Sequence, residues 1–348
     1  MILSPGSGLA AQKASIIIEA GNGAILQGEA IDTAVYPASL VKMMTLYLTF
    51  ESLKERKLFP GTRLEVSALA ARQSPSRIGL RKGETITVQE SILALVTKSA
   101  NDAAVVLAEA QAESERDFAV RMTAKAKNLG MAKTQFRNAS GLYHREQVST
   151  ARDLALLANA LIRDFPQYAP FFSVKEFRFH GRIYRNHNEF LKDYPGADGI
   201  KTGYLRASGY NLAASVSRGE RRLIGIVLGE ESAKERKRRM TALFDKGFGT
   251  AAALERSWEI QVGEASRLTT AHLVASSAAR RVPDLLHRAS LTISPIRRGH
   301  NVVYRARFLG IREDLARIAC DNLKQNGIAC DVVSPFEAKL AAHVWTNS

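Results

Sequence analysis

The sequence predicts an α+β fold divided between two domains. Residues 13–255 begin and end in predicted strands and have helices in the middle, and residues 256–336 change to a strand-then-helix pattern. Terminal strands that share one antiparallel sheet, with helices packed on it, form an α+β arrangement. At roughly 150 residues per domain, the 348 residues fit two domains. Residues 1–12 and 337–348 are predicted to be tails.

The first domain is predicted to open with a hairpin and a buried helix. Lys13–Ala20 is apolar enough for a strand, Gly21-Asn22-Gly23 is a strong hairpin signal, and Ala24–Gly28 returns. A long helix follows from about Ser39 to Arg56, and its apolar positions cover nearly all of its circumference. A helix of this kind is expected at the centre of a domain.

The remaining elements of this domain follow from apolar periodicity and turn residues. Three further helices are predicted at Gln89–Lys98, Ala103–Ala112 and 150–163. A hairpin of strands Gly209–Ser217 and Arg221–Leu228 follows, and the last helix is predicted at Ala233–Lys246.

The second domain contains an internal repeat of a strand followed by a helix, the second copy starting about 45 residues after the first. Its predicted elements are strand Trp258–Gly263, helix Thr269–Leu286, strand Val302–Gly310, helix Arg312–Gln325 and strand Ala329–Val333. Two such units predict a small split-βαβ domain, and Pro283–Pro295 is left unassigned.

Composition limits the class of partner. The chain carries 49 basic and 34 acidic side chains, a net charge of +15, which indicates an anionic partner such as nucleic acid, acidic lipid or acidic wall polymer. The hydrophobic fraction of 46% is that of a globular protein. We expect no transmembrane helix. Met1 to Gln12 lacks the basic and apolar regions of a secretory signal, so we expect either that the signal was removed or that the start is misplaced, the alternative being a cytoplasmic protein.

Three short motifs occur in order: S-L-V-K at Ser39–Lys42, S-A-N at Ser99–Asn101 and K-T-G at Lys201–Gly203. Ser39 and Lys42 are three apart at a helix start, so they share one face. A serine becomes nucleophilic when a base removes its proton, and a lysine is such a base only when burial or a nearby cation lowers its pKa. Lys201 could be that cation. Each motif alone is common, but the ordered set indicates a serine nucleophile, its base, a proton relay and a carboxylate-binding strand.

With these motifs in place, residues 13 to about 250 resemble the serine D-Ala-D-Ala carboxypeptidases, the low-molecular-mass penicillin-binding proteins. The resemblance is carried by the segments Tyr36–Thr45, Lys98–Asp102, Phe136–Leu142, Ser149–Ala155, Asp198–Gly203 and Gly209–Ser215. It implies the penicillin-binding-protein/β-lactamase-like transpeptidase fold, an antiparallel sheet with a helical cluster.

The resemblance also implies catalytic roles. Ser39 would be the acylated nucleophile and Lys42 its base, while Ser99 and Asn101 would relay a proton to the leaving D-alanine and orient the peptide. Penicillins would acylate the same serine.

Five residues would bind substrate on the same grounds. Lys201 and Thr202 would hold the terminal carboxylate, Gly203 would let a substrate strand approach, and the N–H of Tyr204 would join that of Ser39 in the oxyanion hole. Arg236 would lie near the route of the carboxylate.

Other chemistries remain open. A serine β-lactamase shares the motifs and needs a glutamate for deacylation, for which Glu146 is a candidate. A DD-endopeptidase would use the same machinery, and a catalytically idle wall-binding protein is an alternative of another class. Val148 and Tyr204 stand where relatives often have histidine. No H-E-x-x-H motif is present, so neither a metal nor another cofactor is expected.

Residues 256–336 resemble a SPOR domain, a small peptidoglycan-binding fold. Three segments carry this resemblance: Trp258–Gly263, Tyr304–Gly310 and Ala319–Val333. It implies a βαββαβ layout whose sheet binds glycan strands stripped of stem peptides. RNA-binding domains share this layout, but their aromatic strand signature is absent from this sequence. The simplest alternative is an appendage that only packs on the enzyme domain.

The remaining expectations concern partners, compartment and cysteines. We expect peptidoglycan stem peptides, glycan strands and β-lactams as partners, no nucleic acid, and peripheral inner-membrane association, in the periplasm. Cys320 and Cys330 would form a disulfide there, the alternative being two buried thiols.

Overall fold

The computed structural model describes residues 12–334 except 220, 256–257, 287–288 and 300. The predicted tails therefore lie almost wholly outside the described residues. The chain divides into two compact units, one made of residues up to 23 and from 27 to 245, the other of residues 24–26 and from 246 onward. The division falls within the helix Ala233–Glu255.

The strands of the chain up to this helix are β1 Ala14–Glu19, β2 Ile25–Glu29, β3 Arg63–Glu65, β4 Thr85–Thr87, β5 Glu176–Phe179, β6 Arg182–Arg185, β7 Ala197–Leu205, β8 Gly209–Arg218 and β9 Arg221–Glu230. The helices are α1 Lys42–Lys54, α2 Ala68–Ala71, α3 Val88–Lys98, α4 Asn101–Glu109, α5 Glu115–Asn128, α6 Ala151–Asp164, α7 Phe190–Asp193 and α8 Ala233–Glu255. Two 3-10 helices span Ala38–Val41 and Pro166–Ser173.

A five-stranded sheet joins the two ends of the first unit, as the sequence predicted. Its order is β2-β1-β9-β8-β7, and β1–β9, β9–β8 and β8–β7 pair antiparallel. Because β7 is the last strand of this order, one of its edges has no strand partner among the residues that the structure describes. Apolar side chains of β1, β9, α1, α4 and α6 form one continuous core.

The helix that the sequence predicted from Ser39 starts three residues later. Leu40 N donates to Pro37 O at 3.2 Å, an i-to-i+3 bond that makes Ala38–Val41 a 3-10 turn before α1 begins at Lys42. The prediction of a centrally buried helix is confirmed, since α1 is buried along nearly its whole length, Lys42 included.

The second unit has the predicted βαββαβ order. Its elements are β10 Trp258–Ala265, α9 Leu268–Arg281, α10 Pro283–Leu286, β11 Ser290–Arg298, β12 Asn301–Ile311, α11 Glu313–Gln325 and β13 Asp331–Val333. The sheet order is β11-β12-β10-β13.

Two details of this unit differ from the predicted elements. The helix predicted over Thr269–Leu286 is broken between α9 and α10, because Pro283 cannot continue the hydrogen bonds of α9. The segment Pro283–Pro295, whose role the sequence did not explain, supplies α10 and most of β11. Cys320 on α11 and Cys330 form a disulfide with Cα atoms 5.2 Å apart.

Candidate active site

The three motifs meet at one cavity of about 340 Å³ in the first unit. Ser39 reaches it from the 3-10 turn, Ser99 and Asn101 from the α3–α4 junction, and Thr202 from the edge strand β7. Residues far apart in sequence are thus brought within reach of one ligand. This convergence satisfies the first geometric requirement of a catalytic site.

Lys42 is the hub of the polar contacts behind the nucleophile. Its Nζ lies 3.2 Å from Ser39 Oγ and 2.7 Å from Asn101 Oδ1, and it also donates to Ser140 O. The side chain is fully buried, with 0% exposure. A lysine held against a serine hydroxyl in this way has the geometry of a general base.

Electrostatics favour the neutral form of this lysine. Burial is the main cause that lowers the pKa of Lys42 well below its usual 10.5, and the charge of Lys201 lowers it further. Asp102 and Glu115 oppose the shift. A neutral amine can accept the serine proton, which a charged one cannot.

The α3–α4 junction presents Ser99 and Asn101 in a fixed conformation. Ser99 adopts a left-handed backbone, with φ 59° and ψ 37°, at the C-cap of α3. Asn101 is tied to the neighbouring loop because its N donates to Ser76 O at 2.7 Å and its Nδ2 to Ser74 O at 3.0 Å. Within the described structure the buried Ser99 Oγ has no hydrogen-bond partner, so it is free to bond a ligand in the cavity.

Asp102 shapes the loop that forms one wall of the cavity. Its carboxylate accepts hydrogen bonds from the backbone N–H groups of Ile78, Gly79 and Leu80, at 2.8–3.2 Å. It also accepts from Ala103 N at 3.0 Å. One buried carboxylate thereby fixes the loop to the helix that carries Asn101.

Two cations stand on the K-T-G side. Lys201 is 2% exposed and donates to Thr202 O at 2.9 Å, so its side chain lies behind the cavity wall, while Thr202 and Arg236 line the cavity itself. Burial, aided by the charge of Arg236, lowers the pKa of Lys201 to about 7. Burial also lowers the pKa of Arg236. The predicted carboxylate-binding residues are therefore together, with Arg236 the more accessible cation.

Gly203 has a structural reason that the sequence did not reveal. A Cβ at this position would lie 3.1 Å from the backbone N of Ser39 and 3.3 Å from Ala38 Cβ. The missing side chain is what lets β7 pack directly against the turn that carries the nucleophile. In the structure, β7 approaches the protein's own 3-10 turn at Gly203, whereas the sequence predicted that a substrate strand would approach this glycine.

Glu146 and Val148 lie away from the chemistry. Glu146 pairs with Arg137 at 3.0 Å and does not line the cavity, so it is not placed as the glutamate that a β-lactamase would need. Val148 forms a backbone bridge with Gln135. Tyr204 does line the cavity, is 54% exposed, and packs against Tyr210 with ring centroids 4.4 Å apart.

Sequence reasoning missed several cavity residues, among them Ser76, Ser140, Leu142 and His187. Ser140 and Leu142 belong to a segment that was recognised as family-like but given no role. Ser76 and His187 lie in segments without a motif, so only the folded chain could identify them.

Neither a metal-binding cluster nor a membrane-spanning helix is present among the described residues. Within residues 12–334, outside the few left undescribed, no three histidine, cysteine, aspartate or glutamate side chains are grouped so as to hold a metal ion. The helices that the structure describes are too short or too polar to cross a bilayer.

Comparison with known proteins yields consistent matches. A family model for D-alanyl-D-alanine carboxypeptidase, Peptidase S11, matches residues 5–232. The chain is 34% identical to D-alanyl-D-alanine carboxypeptidase DacF of Bacillus subtilis over 241 residues, which cover 68% of this chain and 62% of that protein. The match thus spans less than two thirds of the length of this curated relative.

Solved structures match in the same way. Penicillin-binding protein 5 of Haemophilus influenzae is 30% identical, with a TM-score of 0.67 and coverage of 76% of each chain. Penicillin-binding protein D2 of Listeria monocytogenes, solved in an ampicillin-bound form, is 32% identical, with a TM-score of 0.62 and coverage of 70% of this chain and 100% of that one.

Proposed function

Because this chain belongs to the D-alanyl-D-alanine carboxypeptidase family of serine peptidases, we propose that it removes the terminal D-alanine from peptidoglycan stem pentapeptides. The observation that carries the proposal is the contact of 3.2 Å between Lys42 Nζ and Ser39 Oγ, made by a lysine whose pKa burial holds low.

Acylation would begin with proton transfer from Ser39 Oγ to neutral Lys42. The freed oxygen attacks the carbonyl carbon of the penultimate D-alanine, and the N–H groups of Ser39 and Tyr204 stabilise the oxyanion. Collapse breaks the peptide bond, and the proton held by Lys42 passes through the hydroxyl of Ser99 to the leaving amine, while Asn101, whose Oδ1 accepts from Lys42 Nζ, orients the lysine and the peptide. Water then hydrolyses the acyl-enzyme, with Lys42 again acting as base.

The terminal carboxylate would bind at the K-T-G side. Thr202 and Arg236 line the cavity there, and Lys201 adds positive charge from behind. A substrate with an amidated terminus would lose these interactions, which gives the enzyme its preference for a free carboxylate.

β-Lactams would acylate the same serine, as their carbonyl and carboxylate match those of the substrate. The relative from Listeria monocytogenes with bound ampicillin supports this proposal. DD-endopeptidase action on cross-links would use the same groups and remains the second candidate reaction.

The second unit would bind peptidoglycan glycan as a SPOR-like module in the periplasm, with the net positive charge favouring peripheral association with an acidic membrane surface. Its βαββαβ order and four-stranded sheet support this proposal. Co-sedimentation of the full chain with wall material tests it: we expect stronger binding to glycan stripped of stem peptides than to intact glycan, and equal binding would contradict it.

Labelling with a fluorescent penicillin tests the enzymatic proposal. We expect a stable adduct on Ser39, released over many minutes, that is lost in Ser39→Ala and retained in the control Ser173→Ala, which changes an exposed serine. Rapid turnover would instead indicate a β-lactamase. Absence of any adduct would leave wall binding as the main function.

A further inference from the structure

Five basic side chains belong to segments that adjoin, in the chain or through hydrogen bonds, the cavity-lining residues Ser76 and His187. They come from the loop before β4, the end of α3 and the β5–β6 hairpin, and four of them are exposed. We call this set the basic rim: Arg77, Lys98, Lys175, Arg182 and Arg185.

Hydrogen bonds hold these separate segments together beside the cavity. Tyr184 of β6 donates from its hydroxyl to Ile78 O at 2.9 Å, which joins the hairpin to the loop that carries Arg77. Asn186 N donates to Lys175 O at 2.8 Å, and His187 N donates to Thr97 O at 3.1 Å. The basic rim is therefore a built surface rather than a set of unrelated charges.

The charges of the basic rim are not neutralised by neighbours. In the described part of the chain, none of the five has a carboxylate oxygen within 4.0 Å, whereas Arg152, Lys125 and Arg239 elsewhere on this unit pair with Asp32, Glu51 and Glu29. Glu176 stands opposite Arg185 in the β5–β6 pair but has its 4.0 Å contact with Arg178. Asp102 accepts from backbone N–H groups of residues 78–80, and Glu189 acts on Arg236.

His187 shows that this positive field reaches the cavity. Its Nε2 lies 3.5 Å from Lys98 Nζ. The pKa of His187 is lowered, first by burial and then by the charges of Lys98 and Lys201. The contact between Lys98 and His187 brings positive charge to the cavity wall, where an anion would be stabilised.

We propose that the basic rim binds carboxylates carried by the substrate upstream of its scissile bond, so that the enzyme prefers acidic stem peptides to neutral ones. This inference rests on the proposed function and names the substrate class of that same cleft. Continuity with the cavity favours a substrate group over a lipid or nucleic acid phosphate, because Arg77 follows the cavity residue Ser76 in the chain and Lys98 Nζ lies 3.5 Å from Nε2 of the cavity residue His187.

The test compares two soluble peptides that end in D-Ala-D-Ala, one with two glutamates upstream and one with glutamines at the same positions. For the wild-type full chain we expect kcat/KM to be about 5- to 30-fold higher for the glutamate peptide at low salt. The double change Arg182→Glu/Arg185→Glu should remove this preference, mainly through KM, and leave the glutamine peptide within about 2-fold of wild type.

Lys127→Glu on α5 is the matched control, an exposed charge reversal away from the basic rim, and should keep the preference. Sodium chloride at 0.5 M should weaken the wild-type preference, since exposed charges are screened. The inference would be overturned if the double variant lost activity equally towards both peptides or kept the wild-type preference. It would also be overturned if the double variant lost only the ability to bind anionic vesicles, because the basic rim would then serve a lipid surface. Inactivity of the wild type towards both peptides would instead refute the proposed function.

Discussion

The charges of two buried lysines and an arginine are coupled in the candidate site. Burial, and then the charge of Lys201, lowers the pKa of Lys42; burial, and then the charge of Arg236, lowers the pKa of Lys201 to about 7. Acylation requires a neutral Lys42, so its rate should rise as pH increases through the lowered pKa of this group. It should fall again above about pH 7, as Lys201 loses the proton that helps to attract the substrate carboxylate.

Arg236→Gln should move the falling limb of this profile to higher pH, because removal of the arginine charge lets the pKa of Lys201 rise. The rate of acylation by a fluorescent penicillin, measured from pH 5 to 10, gives the position of the limb. Arg238→Gln on the same helix, where Arg238 pairs with Glu235 at 2.6 Å, is the control. An Arg236→Gln profile that overlays the wild type after scaling would contradict the coupling.

Gly203→Ala should slow acylation with only moderate loss of stability. The new Cβ would lie 3.1 Å from Ser39 N, so the turn that carries the nucleophile must shift by a few tenths of an ångström. Because a misplacement of about 1 Å lowers rates by about 100-fold, this smaller shift should lower the rate by roughly 10-fold. We expect that loss in the acylation rate and a decrease of about 1–3 kcal/mol in the free energy of unfolding. Gly61→Ala, with no atom within 4 Å of its Cβ, should change neither; similar effects at both positions would refute this explanation.

The sequence identified those site residues that belong to short motifs, and the structure brings Ser39, Lys42, Ser99 and Asn101 together. It could not identify Ser76 or His187, because each reaches the cavity through tertiary contacts that leave no local pattern. The K-T-G motif identified Gly203, but the sequence did not show why a glycine is needed there. Its close packing against Ser39 joins residues that are 164 positions apart in the sequence.

At the level of elements, one carboxylate connects α4 to the loop over residues 76–80. Asp102→Ala would leave the N–H groups of Ile78, Gly79 and Leu80 without this acceptor. We expect the free energy of unfolding, measured with urea, to fall by about 3 kcal/mol, because several bonds to a charged group are lost at once. The acylation rate should fall too, since the same loop holds Asn101.

Glu113→Ala, which removes an exposed carboxylate outside the helices, is the control for Asp102 and should stay within about 0.5 kcal/mol of wild type. An Asp102→Ala protein as stable as this control would show that the loop holds its shape by other contacts.

Element boundaries show where sequence patterns were sufficient. The β8–β9 hairpin and α3 agree with their predictions within about two residues, because turn residues and a capping box mark their ends. The start of α1 and the break before Pro283 were missed, since apolar periodicity does not distinguish a 3-10 turn or a kink from continuous helix. β11 was missed because Pro295 lies inside a strand that only its pairing with β12 reveals.

On the scale of the whole molecule, the disulfide belongs to one unit and the catalytic residues to the other. Closing a loop with a sequence separation of 10 should stabilise the second unit by about 2–3 kcal/mol. Cys320→Ala/Cys330→Ala should therefore lower the melting temperature of the full chain's least stable transition and leave penicillin labelling unchanged.

A reducing agent should reproduce the effect of the double cysteine variant in the wild type and have no effect on the variant itself. Loss of labelling on reduction would show that the two units depend on each other for folding.

Burial of Lys42 and Lys201 makes folding a proton-releasing reaction. In the unfolded chain both amines titrate near 10.5, whereas the folded chain holds them with lowered pKa values, about 7 for Lys201. Between about pH 7 and 10 the unfolded state thus binds more protons, and the free energy of unfolding rises with pH by about 1.4 kcal/mol per unit for each proton.

Proton uptake on unfolding at pH 8, measured in lightly buffered solution, should decrease in Lys201→Met; equal uptake in both proteins would contradict this account. Below about pH 7, where Lys201 is protonated in the folded chain as well, the two buried amines lower the stability most, and protonation of Lys42 also slows acylation. Acidification would therefore weaken the fold and the proposed activity through the same two amines.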